Sequence, residues 1–316
     1  MTRLLTRTDL LALLDPAVCV EALAVGFRGA VSGAGARRVV AELPFPGTAT
    51  ALIPGLLPGI PAYTVKVNAK FPGAAPALRG VVCLHSGVDG ELLALLDSAT
   101  VTAWRTGLAA ALGTHALARP EARTVGVIGA GAQAELMLRG LRALRDIGEV
   151  WVHDAEPGRA REFADRHGAR TAPDPAAIAA TADIVLLATW SRTPLLGLAQ
   201  ARPGQHFTTL GADEPGKLEL GVDLLRAARL VVDDRELGMS SGVLGSIGMD
   251  GDAVRATSTL GEVLNRDVPV GDVPPGTVTV YAPVGLPWQD LALAWLAYEE
   301  SRRRAGGGGR DIDLLG

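Results

Sequence analysis

The sequence predicts an α/β protein built on a parallel sheet, and three observations carry that expectation. Short apolar strands alternate with helical segments from Thr124 to Ala188, at the spacing of strand–helix–strand units. The first strand runs into the loop Val127-Ile-Gly-Ala-Gly-Ala-Gln-Ala134, a GxGxxA pattern that opens a helix. An acid, Asp154, ends the next strand, about twenty residues past the glycine loop. In that context the loop is a dinucleotide site. Gly129 permits the tight turn, Gly131 lets a pyrophosphate approach the backbone, and Ala134 lets the helix pack closely on the strand. The N–H groups at the helix start, at Ala132 and Gln133, are then free to bind phosphate. Asp154 can accept from both ribose hydroxyls and would repel a 2′-phosphate, which favours NAD over NADP. Nearby His153 and Arg159 keep NADP open, and Asp154 could instead cap the helix starting at Pro157. Thr189, just past the third strand, falls where a nucleotide-site loop should be, although its hydroxyl could equally form a turn.

The elements follow in order. Thr8-Asp9 begins a helical run that continues through Phe27, and Pro16 divides it into two helices. From Gly33 to Pro61 the composition shifts to Gly, Pro and Val, with strand-like pieces around Val39-Val40 and Ala51 to Ile53. Val65 to Phe71 alternates as a strand does and is stopped by Pro72-Gly73. Gly80 to His85 and Leu92 to Leu96 flank Ser86-Gly-Val-Asp-Gly90 as a hairpin. Asp97-Ser98 caps a long Ala-rich helix from Ala99 to Ala118, which Pro120 ends. The parallel region then supplies strands at Thr124–Ile128, Glu149–His153 and Asp183–Ala188, with helices at Gln133–Arg145, Pro157–His167 and Pro175–Thr181. His206 to Leu210 and Leu230 to Val232 extend the same sheet. A last amphipathic helix covers Pro287 to Arg304, and the glycine run from Gly306 onward reads as a flexible tail.

Composition removes several classes. Of 316 residues, 48% are hydrophobic, too many for a disordered chain. A net charge of −4 without basic clusters argues against nucleic acid as the main partner. No apolar run approaches the roughly 20 residues that span a bilayer. Charges in Met1 to Asp9 occupy the place of a signal-peptide core, so a cytoplasmic location is expected. The two cysteines, Cys19 and Cys83, sit in apolar surroundings and read as buried small hydrophobes. His85, His115, His167 and His206 have no metal-ligand spacing and read as structural, so no metal is expected. Only three of the 30 basic residues are lysines, Lys66, Lys70 and Lys217.

Several segments, in order, resemble the ornithine cyclodeaminase/μ-crystallin family. They are Lys66-Val-Asn-Ala-Lys-Phe-Pro72, Gly90-Glu-Leu-Leu-Ala-Leu-Leu-Asp97 with Thr102-Ala-Trp-Arg-Thr-Gly107, and Gly126 to Glu135. Gly211-Ala-Asp-Glu-Pro-Gly-Lys217, Leu260-Gly-Glu-Val-Leu264 and Val284-Gly-Leu-Pro-Trp-Gln-Asp290 complete the set. The resemblance covers residues 35–300. It implies a Rossmann-type NAD(P)-binding domain, 119–286, inserted into an α+β substrate and dimerisation domain, 1–118 plus 287–316. It also implies a homodimer, and hydride transfer between the α-carbon of an amino acid and a nicotinamide through an imino acid.

On that basis the ionisable residues acquire roles. Arg105 can clamp a substrate carboxylate through two parallel N–H···O bonds. Lys66 lies within a strand, where a buried ammonium needs an anion. By resemblance it meets the substrate carboxylate or the reacting group; the alternative is an edge-strand lysine. Lys70 shares its facing and reads as solvated. Asp213, in a glycine-flanked turn after an apolar strand, is the candidate general acid or base, with a turn-capping aspartate as the rival. Lys217 closes that motif and positions the loop. The family places a second carboxylate-binding arginine near Arg37 and Arg38, of which Arg38 is the candidate. Thr106 joins the cofactor set through the family signature. Asp290 matches a family position and could also be a helix-terminal acid.

One departure narrows the substrate. Ornithine cyclodeaminases carry a glutamate before a Met-Pro segment, and the matching stretch here, Ala49-Thr-Ala-Leu-Ile-Pro54, has no acid. A distal ammonium would lack a partner, so a small, alanine-type amino acid or its imine is expected, with Glu42 the substitute in a shifted register. Some relatives that reduce cyclic ketimines lack the acid at 213, so its presence leans toward deaminating chemistry. A cyclodeaminase that uses NAD catalytically and a non-catalytic binder of small ligands remain the alternatives.

Overall fold

A computed structural model describes residues 1–29, 39–42, 49–71, 78–266, 274, 276–304 and 308–314. The chain begins with β1 (Thr2–Leu5), α1 (Arg7–Leu13), α2 (Pro16–Gly29), β2 (Val39–Glu42), β3 (Ala49–Gly55), β4 (Ala62–Lys70), β5 (Leu78–Ser86), β6 (Leu92–Asp97) and α3 (Ser98–Leu117). There follow β7 (Val125–Ile128), α4 (Ala132–Leu144), β8 (Val150–His153), α5 (Pro157–His167), β9 (Arg170–Thr171), α6 (Pro175–Thr181) and β10 (Ile184–Leu187). Next come β11 (His206–Thr209), α7 (Val222–Ala227), β12 (Arg229–Val232), α8 (Arg235–Ser240), α9 (Val243–Ser246), α10 (Gly251–Ala256), β13 (Ser258–Thr259), α11 (Leu260–Asn265) and β14 (Thr279–Tyr281). The chain ends with α12 (Pro287–Arg303) and β15 (Arg310–Ile312).

It divides into two compact units, 1–106 with 286–316, and 107–285. The first boundary therefore falls inside α3, not at its end near residue 118. The physical reason lies in the second half of that helix. Ala110, Ala111 and Ala118 belong to the core built on Val125 and Val127 of β7, so those turns pack with the second unit.

In the first unit the strand order is β15-β1-β6-β5-β4-β3-β2. Only β1 and β6 run parallel; the remaining pairs are antiparallel. Helix α12 lies against β3 through β6 and against α2, with Trp288 edge-on to Phe27 at 5.0 Å. The expected break at Pro16 separates α1 from α2, and Asp15 accepts from the N–H groups of Ala17 and Val18 there. Asp97 caps α3 by accepting from the Thr100 N–H and hydroxyl. The glycine-rich tail is not wholly flexible. Arg310–Ile312 pairs antiparallel with β1, and Gly309 N–H donates to Asp9 at 3.0 Å. An open edge on β1 supplies partners that local composition could not reveal. Both cysteines are unpaired; Cys19 is buried and its thiol is pushed up to about 12 by burial. Cys83 is only half-buried, against expectation, because it points away from the covered face of β5.

In the second unit all pairs are parallel, in the order β13-β12-β14-β11-β10-β7-β8-β9. Successive residues of β10 enter opposite cores, Ile184 and Leu186 one, Val185 and Leu187 the other. A sheet covered on both faces explains why its strands read as continuous apolar runs rather than alternating ones. Among the described residues no single helix is long and apolar enough to cross a membrane.

One buried polar chain crosses this unit. His206 contacts Thr279 Oγ1 at 2.8 Å and Thr208 Oγ1 at 2.9 Å, and Thr208 meets Thr114 Oγ1 at 2.7 Å. Burial, helped by the Arg145 charge, pushes the imidazole down to about 3. An unfolded histidine takes up its proton near pH 6.5, whereas this one stays neutral in the folded chain. Its contribution is complete above pH 6.5 and is lost as pH falls from there toward 3. The loss is about 1.4 kcal/mol per pH unit for one proton. Urea unfolding at pH 7 and pH 4.5 should show that slope, and His206→Asn should flatten it. Equal slopes in the two proteins would contradict the assignment.

Candidate active site

The glycine loop follows the carboxyl end of β7. Gly129 has φ +91°, and a Cβ there would meet the Ala188 carbonyl oxygen at 2.6 Å, so only glycine fits. Gly131 caps α4 without a side-chain bond, which leaves first-turn N–H groups for an acceptor. Beside Gly131 a Cβ would meet nothing within 4 Å. Ala132 starts α4, Ala134 is buried, and the Gln133 Oε1 atom is buried without a hydrogen-bond partner. Strand β7 lies between β10 and β8, where the chain's direction of travel across the sheet reverses. That is the switch point at which such sheets bind ligands. An open glycine cradle, a free helix start and an orphaned acceptor together fit a dinucleotide.

Asp154 does not cap α5, whose N-cap is Glu156. Its Oδ2 accepts from Ala130 N–H at 2.7 Å inside the glycine loop, and its Oδ1 accepts from Glu156 N–H at 2.8 Å. The acid is thus fixed to the loop that would hold the pyrophosphate, and each oxygen retains a lone pair. Thr189 is not open either. Its N–H and hydroxyl both donate to Glu219 Oε1, at 2.7 and 2.6 Å.

Asp213 lies in the loop past β11, the strand next to β10. Its side chain is 49% exposed and pairs with Lys217 Nζ at 3.2 Å. Lys217 is 5% exposed and sits over the Trp190 ring, 5.1 Å from its centroid. The carboxylate is therefore both held by a cation and open to solvent, an arrangement suited to exchanging protons. Sequence reading missed Glu219, which is fully buried and also accepts from Thr209 Oγ1 and Gly211 N–H. Its signal was present: an acid flanked by Leu218 and Leu220 in an apolar piece is costly unless bonded.

The first unit gathers the predicted carboxylate-binding residues. Strand β4 buries Thr64, Lys66 and Asn68 on one face, a polar stripe where an alternating strand should present apolar groups. Lys66 pairs with Ile53 of β3 and Val82 of β5, so it is not an edge lysine. Its ammonium, 1% exposed, meets Asp290 Oδ2 at 2.5 Å and Thr102 Oγ1 at 3.5 Å. Arg105 Nε lies 3.6 Å from Asp290 Oδ1, and its Nη1 donates to Gln289 Oε1 at 3.3 Å. Two cations thus share one carboxylate from the first turn of α12, and Asp290 is more than a helix-terminal acid. Thr106, one turn position on, is half-buried in α3. Arg37 and Arg38 lie outside the described residues, as does the side chain of Lys70. A cavity of about 950 Å³ lined by Arg226, Arg229 and Ser258 opens at the amino ends of β12 and β13. That is the opposite edge of the sheet from the glycine loop, and it contains none of the predicted residues.

A parallel sheet with a glycine loop at its switch point defines a Rossmann-type dinucleotide-binding class, here carried with a second unit built on a largely antiparallel sheet. The chain belongs to the ornithine cyclodeaminase/mu-crystallin family, whose profile matches residues 8–305. It is 33% identical to the alanine dehydrogenase of Archaeoglobus fulgidus over 235 residues, 72% of this chain and 71% of that one. Among solved structures it resembles an archaeal alanine dehydrogenase dimer with bound NAD, with TM-score 0.89 and 29% identity over 99% of each chain. It also resembles the Δ(1)-pyrroline-2-carboxylate reductase of Thermococcus litoralis in complex with NADH and L-proline. There the TM-score is 0.88 and the identity 26%, over 98% of this chain and 100% of that one.

Proposed function

We propose that this chain is an NAD(P)-dependent oxidoreductase that interconverts a small amino acid and its imine. The observation that carries the reading is the placement of the glycine loop and the Asp213 loop past the carboxyl ends of β7 and β11, in one parallel sheet. Relatives named for alanine and for pyrroline-2-carboxylate, two of them with NAD or NADH bound, support it. A bound nicotinamide would supply the hydride chemistry at the substrate α-carbon. The chain's residues do the rest. Lys66 and Arg105 hold the substrate carboxylate, their positions fixed through Asp290. Asp213 takes the proton that the substrate ammonium loses, or returns it to the imine in the reverse direction, and its exposure lets it exchange with solvent. Asp154 accepts from the ribose hydroxyls.

The residue beside Lys66 on β3 is Ile53, and no acid lies on that strand, which favours an alanine-type side chain over a basic one. The reading includes a homodimer, supported by the dimeric archaeal structure, and a reducing cytoplasm, supported by two unpaired cysteines. Incubation with a panel of amino acids and NAD or NADP should give net reduced nicotinamide, with small apolar substrates best. Ammonia and a cyclic amino acid without net reduced cofactor would instead select a cyclodeaminase.

A further inference from the structure

We propose that Glu219 is a positioning residue that couples the cofactor loop to the acid/base loop, so that cofactor seated beside Thr189 also orders Asp213. The proposal rests on the function given above. One fully buried carboxylate accepts four bonds, from the loop after β10 and from the end of β11 with the loop that follows it. Oε1 takes the N–H and hydroxyl of Thr189, at 2.7 and 2.6 Å. Oε2 takes the Thr209 hydroxyl and the Gly211 N–H, each at 2.7 Å. Thr189 follows β10 and Gly211 follows β11, and those strands are neighbours in the sheet. Asp213 stands just beyond Gly211.

The backbone that carries this side chain is itself anchored. The Glu219 carbonyl accepts from Leu195 N–H at 2.7 Å, and Leu220 bridges to Leu196. A group so held cannot swing to follow one loop without releasing the other. The fit is tight, since a Cβ at Gly211 would meet Glu219 Cδ at 2.4 Å. Burial of a carboxylate is unfavourable, and charge-assisted bonds from four donors offset it. An amide in its place presents hydrogens on one side. Either threonine hydroxyl can reverse its role, but the N–H of Thr189 or Gly211 cannot. One loop must then lose its backbone N–H bond to this side chain.

Hydrogen–deuterium exchange on the full chain, with and without NADH, tests this alongside steady-state kinetics. In the unaltered protein NADH should slow exchange in 129–135, 189–191 and 211–217 together. In Glu219→Gln the protection of 129–135 should remain and that of 211–217 should vanish. Turnover should fall about 10–100-fold, mainly in kcat, as expected for a displaced catalytic group. Thr209→Val, which removes one donor and is milder, should move both readouts the same way; it decides the matter if Glu219→Gln does not fold. Equal NADH protection of 211–217 in these variants would overturn the coupling and leave the proposed function standing. Lower melting temperature with exchange and kcat unchanged would also overturn it, leaving Glu219 a purely structural residue. Binding of neither NADH nor NADPH to the unaltered protein would remove both proposals.

Discussion

Asp213→Asn should lower kcat by about 10²–10⁴-fold, the usual contribution of a positioned acid or base. The amide keeps the shape of the side chain and can still accept from Lys217, so the loop should stay in place. What it loses is the ability to take the ammonium proton. The affinity for NADH, measured by fluorescence titration, should therefore be nearly unchanged. Lys217 is left with less compensation for its burial and stays over the Trp190 ring, so a modest fall in melting temperature is expected. Retention of full turnover by Asp213→Asn would remove the acid/base assignment. Loss of NADH binding in parallel with turnover would show a damaged fold instead.

The second large effect concerns the carboxylate shared by Lys66 and Arg105. Asp290→Asn leaves a 1%-exposed ammonium without its 2.5 Å partner. Removing one side of a buried pair costs about 3–5 kcal/mol. Chemical denaturation of the variant should show that loss, with KM for the amino acid raised because both cations are released from their fixed positions. The double variant Lys66→Met with Asp290→Leu separates stability from function. Apolar replacement of both partners should recover most of the stability, yet substrate binding should stay weak because the ammonium is gone. Recovery of both stability and substrate affinity would show that Lys66 does not contact the substrate.

How much of this was legible before folding differs from element to element. The glycine loop, Asp154 and the strand–helix alternation were readable because each depends on a local requirement: a positive φ at Gly129, a helix start, a short apolar run. Pro16, Asp97 and Pro157 mark helix boundaries for the same local reasons. The short elements of the second unit from α7 to β14 were largely missed, since such brief pieces gain their stability from the sheet they cover and not from propensity. Strand β15 was hidden in a glycine-rich tail because its only determinant is the open edge of β1, far away in sequence.

The site divides along the same line. Residue types and family spacing pointed to Lys66, Arg105 and Asp213 as candidates before any contact was known. The sequence by itself determined the class of protein, the cofactor loop and these three side chains, because backbone conformation and motif order are local properties. Tertiary structure decided who holds them. Asp290 meets Lys66 across 224 positions of chain, and Glu219 joins Thr189 to Gly211 across a pair of strands. Those bonds form only where burial brings distant polar groups together and leaves them no water to turn to.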